Sequence, residues 1–330
     1  MPAPSVLFLG GTGIISSACT FRALEEGLDV FVLGRGLSKT RPAPEGARLL
    51  TGDLDDPASF AAAVGDREFD VVADFRAFGP GDVQGRLDVL RGRMGQYVFI
   101  SSASAYQTPP ARLPVVESTP LRNPHWAYSR GKIAAEELLV GLYRDEGLPV
   151  TIVRPSHTYD HTSPPFDGGW TVVDRLRRRS PIVVHGDGTS LWTLTHHTDF
   201  ARAFVGLLGH PAAIGEAFHI TSDEWLSWNQ IYAIVAEAAG VQPLLVHVTS
   251  DAIAEADPEW GASLLGDKAH SMVFDNRKVK ALVPGWTASV PFHRGAREIV
   301  DWFDADPARQ QVDATIDATM SRLVEQHRRG

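Results

Sequence analysis

Residues 5–16 read Ser5-Val6-Leu7-Phe8-Leu9-Gly10-Gly11-Thr12-Gly13-Ile14-Ile15-Ser16. A short apolar run bounded by glycine reads as a buried strand. Beyond it Ile14, Ala18, Phe21 and Leu24 recur at helical spacing, and Gly27 supplies a stop. Strand, glycine turn and helix in that order make a cradle for a diphosphate. The glycines allow a tight turn and close approach, and the helix N-terminus offers unpaired N–H groups and a favourable dipole. Gly10, Thr12, Gly13, Ile14 and Ile15 are therefore candidate dinucleotide contacts, with Ser16 standing where a third glycine is usual.

Working outward, Val30–Leu33, Arg48–Thr51, Val71–Phe75, Tyr97–Ser101 and Val150–Arg154 are further short strands, separated by helical patterns. Such alternation predicts a parallel sheet covered on both faces: an α/β, Rossmann-type doubly wound fold with a smaller C-terminal substrate domain. Residues 1–155, with a return segment at about 191–215, are expected to form the dinucleotide-binding domain. Residues 156–190 and 216–303 are assigned to substrate, and 304–330 to a peripheral C-terminal helix. Asn123-Pro124 is expected to open the helix that closes near Glu146-Gly147, and Ser227 with Gln230 has the spacing of a capping box.

The chain has 330 residues, 44% of them hydrophobic and 22% charged, which excludes disorder and coiled coil. Its net charge of −9 opposes a phosphate-backbone partner, so no nucleic acid is expected. The dense basic cluster Arg175, Arg177, Arg178 and Arg179 reads as a solvated helix face. One cysteine, Cys19, cannot form an internal disulfide, and no run approaches a membrane span. A cytoplasmic protein without a membrane association is the expectation. His157 and His161 lack the Cys or carboxylate neighbours of a metal spacing, so no metal is expected.

The second strand ends at Gly34-Arg35, about twenty residues after the glycines, where an acidic residue grips the ribose of NAD and an arginine accommodates the 2′-phosphate of NADP. Arg35 occupies the position, with Lys39 and Arg41 close behind, and the reading slightly favours NADP(H) over NAD(H). Asp53-Leu54, after the third strand, would flank the adenine.

Tyr128 and Lys132 stand four apart on a predicted helix and so share one face. A free tyrosine titrates near ~10, so making it a base at neutral pH takes about 3 units, or ~4 kcal/mol. An ammonium on the same face and an oxidised nicotinamide are charges able to supply it. The run Phe99-Ile100-Ser101-Ser102-Ala103-Ser104-Ala105-Tyr106 places a hydroxyl at the carboxyl end of the fifth strand, where open α/β sheets bind ligands.

With Arg154-Pro155, His197-Thr198-Asp199 and the Phe274–Lys278 and Pro284–Trp286 segments, these motifs resemble the extended short-chain dehydrogenase/reductases of the NAD(P)-dependent epimerase/dehydratase family. The resemblance implies an enzyme in which Tyr128 moves the hydroxyl proton, Ser102 holds the substrate oxygen, and Lys132 binds the nicotinamide ribose and lowers the tyrosine pKa. It also implies that the segment Phe75-Arg76-Ala77, with Ser101, Pro155 and Ser156, borders the nicotinamide half, and that two subunits pair through the helix bearing Tyr128 and Lys132. Family dehydratases follow the catalytic hydroxyl with Asp-Glu, whereas Ala103-Ser104 follow it here. Nucleotide-sugar members carry an arginine where Trp192 falls, and a tryptophan stacks on a ring rather than pairing with a diphosphate. A smaller polyhydroxylated substrate (a sugar, nucleoside or cyclitol) is expected, with Ser104, His157, Trp192 and Lys268 as candidate contacts. Epimerase or dehydratase chemistry, a ketoreductase with exchanging NADP(H), and a non-catalytic dinucleotide- or RNA-binding protein all remain open.

Overall fold

The structure is a computed structural model and describes residues 3–38 and 40–327. Lys39 lies outside the described residues. All six expected strands form, with ends within one residue of expectation: β1 (Ser5–Leu9), β2 (Asp29–Gly34), β3 (Arg48–Thr51), β4 (Val71–Asp74), β5 (Tyr97–Ile100) and β6 (Val150–Pro155). The helices between them are α1 (Ile14–Glu25), α2 (Pro57–Val64), α3 (Pro80–Leu90) and α4 (Ala127–Glu146).

The remainder is built from β7 (His157–Tyr159), α5 (Trp170–Arg177), β8 (Ile182–His185), β9 (Leu191–Trp192), β10 (Leu194–His196) and α6 (His197–Val205). Then come β11 (Ala217–Ile220), β12 (Leu226–Ser227), α7 (Trp228–Ala238), β13 (Leu245–Val248), α8 (Ser250–Ala256) and α9 (Pro258–Ser263). A π-helical turn at Leu264–Lys268 precedes α10 (Arg277–Leu282), α11 (Phe292–Asp304) and α12 (Ala314–His327).

Seven strands in the order β11-β6-β5-β4-β1-β2-β3 make a parallel sheet. Strand alternation explains its two apolar faces. Val6 and Phe8 point to the side covered by α1 and α6, where Phe200 and Phe204 are buried. Leu7 and Leu9 point to the side covered by α2, α3 and α4, against Phe60, Leu87 and Leu139. The order reverses at β1, so a crevice opens beyond the carboxyl ends of β1 and β4.

Three expectations change. The sheet takes in Ala217–Ile220, so the boundary at 215 falls one strand too early. The C-terminal helix is not merely peripheral: Met320, Leu323 and Val324 enter a second core with Val183, Trp228 and Phe292, around the β8–β13 pair. Finally α4 starts at Ala127 rather than at Asn123-Pro124. The Asn123 Oδ1 accepts from the N–H groups of His125 (3.2 Å) and Trp126 (3.1 Å), a turn that spends the cap before the helix begins. The Ser227–Gln230 capping box forms at α7, and Gly147 ends α4 in the left-handed region at φ +70°.

Candidate active site

A cleft of about 940 Å³ runs along the carboxyl edge of the sheet. Gly10, Thr12, Gly13, Ile14 and Ile15 form its floor, Arg35, Asp53 and Leu54 lie at one end, and Phe75, Ser101, Ser102, Tyr128, Lys132, Pro155 and Ser156 at the other. Gly10 has φ +83°, and a Cβ there would stand 2.3 Å from Arg76 Cγ. At Gly11 it would stand 2.9 Å from the Thr20 hydroxyl. Ser16 braces the turn: its Oγ accepts from Gly13 N–H and donates to Gly10 O, each at 2.7 Å. A bare-backbone turn running into a helix N-terminus fits a dinucleotide diphosphate.

Arg35 is exposed at the cleft's end, whereas Arg41 is committed elsewhere. The Arg41 Nε donates to Asp160 Oδ2 at 2.6 Å and its Nη2 to Asp160 Oδ1 at 3.3 Å and to the Thr162 hydroxyl. Gly36, Leu37, Ser38, Pro42 and Ala43 line the cleft, as do Ser156 and Thr158, so this partly buried pair ties two lining segments together. Asp53 takes part in a simple turn, its Oδ1 accepting from Asp55 N–H at 3.0 Å.

Helix α4 delivers Tyr128 and Lys132 to the same wall, beside Ser102 at the end of β5. The Lys132 Nζ is 5.8 Å from the Tyr128 ring centre and donates to the carbonyls of Ala77 (2.6 Å) and Ile100 (2.7 Å). An ammonium has three N–H donors, so one remains for a ligand. Burial pushes the lysine down to about 8, against the pull of Asp74, Asp82 and Glu136. Burial also holds the Tyr128 phenol above its ordinary value, the nearby Ser102 hydroxyl lowers it, and the Asp267 charge raises it further. In the protein alone the phenol is thus held up, chiefly by burial.

Several candidates lie away from the cleft surface. Ala77 is buried, with its carbonyl bound by Lys132. Ser104 is 3% exposed behind Ser102, in a hydroxyl chain Ser102–Ser104–Ser129 with separations of 2.9 and 2.7 Å. The turn Ala103–Ala105 rotates it inward. Trp192 is 2% exposed in the second core, its ring 5.8 Å from Trp228, so it presents no stacking face to the cleft. Ser156 and Thr158 line the cleft, while His157, half-buried between them, feels the Lys268 charge. Lys268 is buried, its Nζ 3.2 Å from the Ser263 hydroxyl and 3.8 Å from Asp167.

Sequence reading missed the acidic residue that anchors this wall. Glu136, one turn beyond Lys132, accepts from Ser101 Oγ at 2.5 Å and from Arg154 Nε and Nη2 at 2.9 and 2.5 Å, all buried. It also missed Asp74, whose carboxylate accepts from Tyr97 OH at 2.7 Å and from the N–H groups of Arg76 and Ala77. The signal available was the i, i+4 spacing of Lys132 and Glu136 on one helix face.

Two histidines near Lys268 give a pH prediction. Burial, reinforced by the Lys268 charge, pushes His157 down to about 3; burial first, again with Lys268, takes His185 to about 4. Unfolded histidine titrates near ~6.5, so below that pH the unfolded chain binds protons that the folded one refuses. Stability is therefore expected to fall as pH drops from about 6.5 towards 4. Urea midpoints measured across that range should decline in the wild type and less steeply in His185→Asn; parallel slopes would contradict this.

Glycine turn, Ser102, Tyr128 and Lys132 on one cleft define a Rossmann-type protein built like a nicotinamide-dependent short-chain dehydrogenase/reductase. The NAD dependent epimerase/dehydratase family model matches residues 6–221, and the chain belongs to that family. It is 28% identical over 261 residues to the chloroplast stem-loop binding protein of 41 kDa b from Arabidopsis thaliana, covering 73% of this chain and 65% of that protein. It is 29% identical over 167 residues to a UDP-glucose 4-epimerase from Lactobacillus helveticus, covering 45% of this chain and 50% of the epimerase. The matches thus span about half to two thirds of these relatives. The structure of UDP-glucose 4-epimerase from Bifidobacterium longum in complex with NAD+ and UDP superposes with a TM-score of 0.74 at 18% identity, covering 92% of this chain and 99% of that one. Among the described residues no helix is long and apolar enough to cross a membrane.

Proposed function

We propose that the protein is an NAD(P)-dependent epimerase or dehydratase-type oxidoreductase acting at a carbinol carbon of a small polyhydroxylated substrate. The observation that carries this reading is the convergence of Ser102, Tyr128 and Lys132 on a cleft floored by the glycine turn. A bound nicotinamide would accept or return the hydride. Ser102 orients the substrate oxygen, Tyr128 gives or takes its proton, and the remaining N–H of Lys132 holds the ribose. Residues 1–155, 191–215 and β11 would carry the dinucleotide, and 156–190 with most of 221–303 the substrate. Ala103-Ser104 after the catalytic hydroxyl argues against the sugar-nucleotide dehydration machinery, and no arginine stands at Trp192 for a diphosphate. A cytoplasmic homodimer pairing through α4 completes the proposal.

The test is a panel of free sugars, nucleosides, cyclitols and UDP-sugars, followed by nicotinamide absorbance and by NMR of the products. Interconversion of epimers without net reduction of cofactor supports the reading. Stoichiometric consumption of NADPH by ketones would point to the ketoreductase alternative, and turnover of UDP-sugars alone would overturn the substrate class.

For the cofactor we favour NADP(H) over NAD(H), on the exposed Arg35 and the absence of a carboxylate at the end of β2. Arg35→Ala is expected to weaken NADP(H) about tenfold or more while leaving NAD(H) nearly unchanged, by fluorescence titration. Equal loss for both dinucleotides would count against that preference.

The similarity to a stem-loop binding protein raises an RNA-binding reading. The basic cluster does not favour it, because Arg175 pairs with Asp317, Arg177 with Asp304, and Arg178 with Asp174 and Asp317. Their charge is largely answered within the fold.

A further inference from the structure

Arg76 follows β4 and lies exposed on the cleft wall. Its stem rests on the glycine turn, with Cγ and Cδ 2.3 and 2.9 Å from where a Cβ of residue 10 would stand. Its guanidinium sits 5.5 Å from the centre of the Phe78 ring, and the Lys132 Nζ sits 4.8 Å from that same ring. Two cations therefore share one aromatic platform. Among the described residues no carboxylate pairs with the Arg76 head; Asp74 accepts only its backbone N–H, at 2.7 Å. Asp53 and Asp55 line the cleft as well, and the whole chain carries −9.

A dinucleotide brings two negative charges to the glycine turn, and a helix N-terminus answers only about half a charge. Arg35 is at the far end of the cleft, and Lys132 has already given two donors to carbonyls. Arg76 is the cleft-lining cation whose stem lies on the turn, and its planar fork suits two phosphate oxygens. We propose that Arg76 pairs with the diphosphate of the dinucleotide, and that Gly10 is glycine partly so that this arginine can lie across it. The proposal rests on the reading of the cleft as a dinucleotide site. It adds a side-chain cation to what is otherwise a backbone cradle.

The test uses the full chain and ADP as probe, with titrations at several salt concentrations. Arg76→Met, which keeps most of the stem, is expected to weaken ADP binding about tenfold or more and to flatten its salt dependence. Arg76→Lys should recover part of both. Unchanged ADP affinity in Arg76→Met would overturn the proposal, as would a loss of affinity with unaltered salt dependence, which marks a packing role. Failure of the wild type to bind ADP, NAD(H) or NADP(H) would sink the dinucleotide reading and this proposal with it. ADP binding by the wild type that is indifferent to residue 76 sinks this proposal alone.

Discussion

Tyr128→Phe is expected to lower turnover by about a hundredfold to ten-thousandfold, the range that a positioned proton donor contributes, while dinucleotide retention stays at the wild-type level. The ring remains to pack against Trp126, 4.9 Å away, and Phe78, 6.3 Å away, so the wall keeps its shape. What disappears is the phenolic oxygen, whose pKa burial raises above the usual tyrosine range. Single-turnover absorbance of the nicotinamide, on the substrate identified by the panel, reads the chemical step, and released dinucleotide per protein reads binding. Wild-type turnover in the variant would remove Tyr128 from the reaction. A parallel fall in bound dinucleotide would assign it to binding instead.

The second large effect is on stability. Glu136→Ala would leave the Arg154 guanidinium buried without its carboxylate, and breaking such a pair from one side typically costs about 3–5 kcal/mol. Arg154 would keep its 3.0 Å bond to the Glu117 carbonyl and its place 4.8 Å from the Tyr106 ring centre, and Ser101 would lose its acceptor. Urea unfolding should show the loss directly. Glu136→Gln, which retains an acceptor but no charge, should fall between the two. A double replacement of Glu136 and Arg154 by apolar residues of similar volume should recover much of it. Wild-type midpoints in Glu136→Ala would mean that the pair contributes nothing to the fold.

Much of the architecture was legible because it is local. A run such as Val6–Leu9 followed by Gly10 specifies a buried strand and a turn without reference to anything distant, and the six strands of the first half all form. The start of α4 was misread for an equally local reason. Asn123 is a good cap, but its side chain closes a turn on His125 and Trp126 and ties down Ser104 and Gly266 instead. The substrate side was much less legible. Ser104 is two residues from Ser102, yet one tight turn faces it inward. His157 adjoins Ser156, yet the charge it feels is that of Lys268, more than a hundred residues along the chain. Trp192 could be recognised as core only once Trp228, from a helix far along the chain, had packed on it. Glu136 and Arg154 look like ordinary surface charges until α4 docks on the sheet and makes them a buried pair.

Arg41 and Asp160 are neighbours only in the folded chain, and their contact ties the loop after β2 to the segment that follows β7. The two residues stand 119 positions apart, and β2 and β6 are not neighbours in the sheet, so the pair tethers segments that share no backbone ladder.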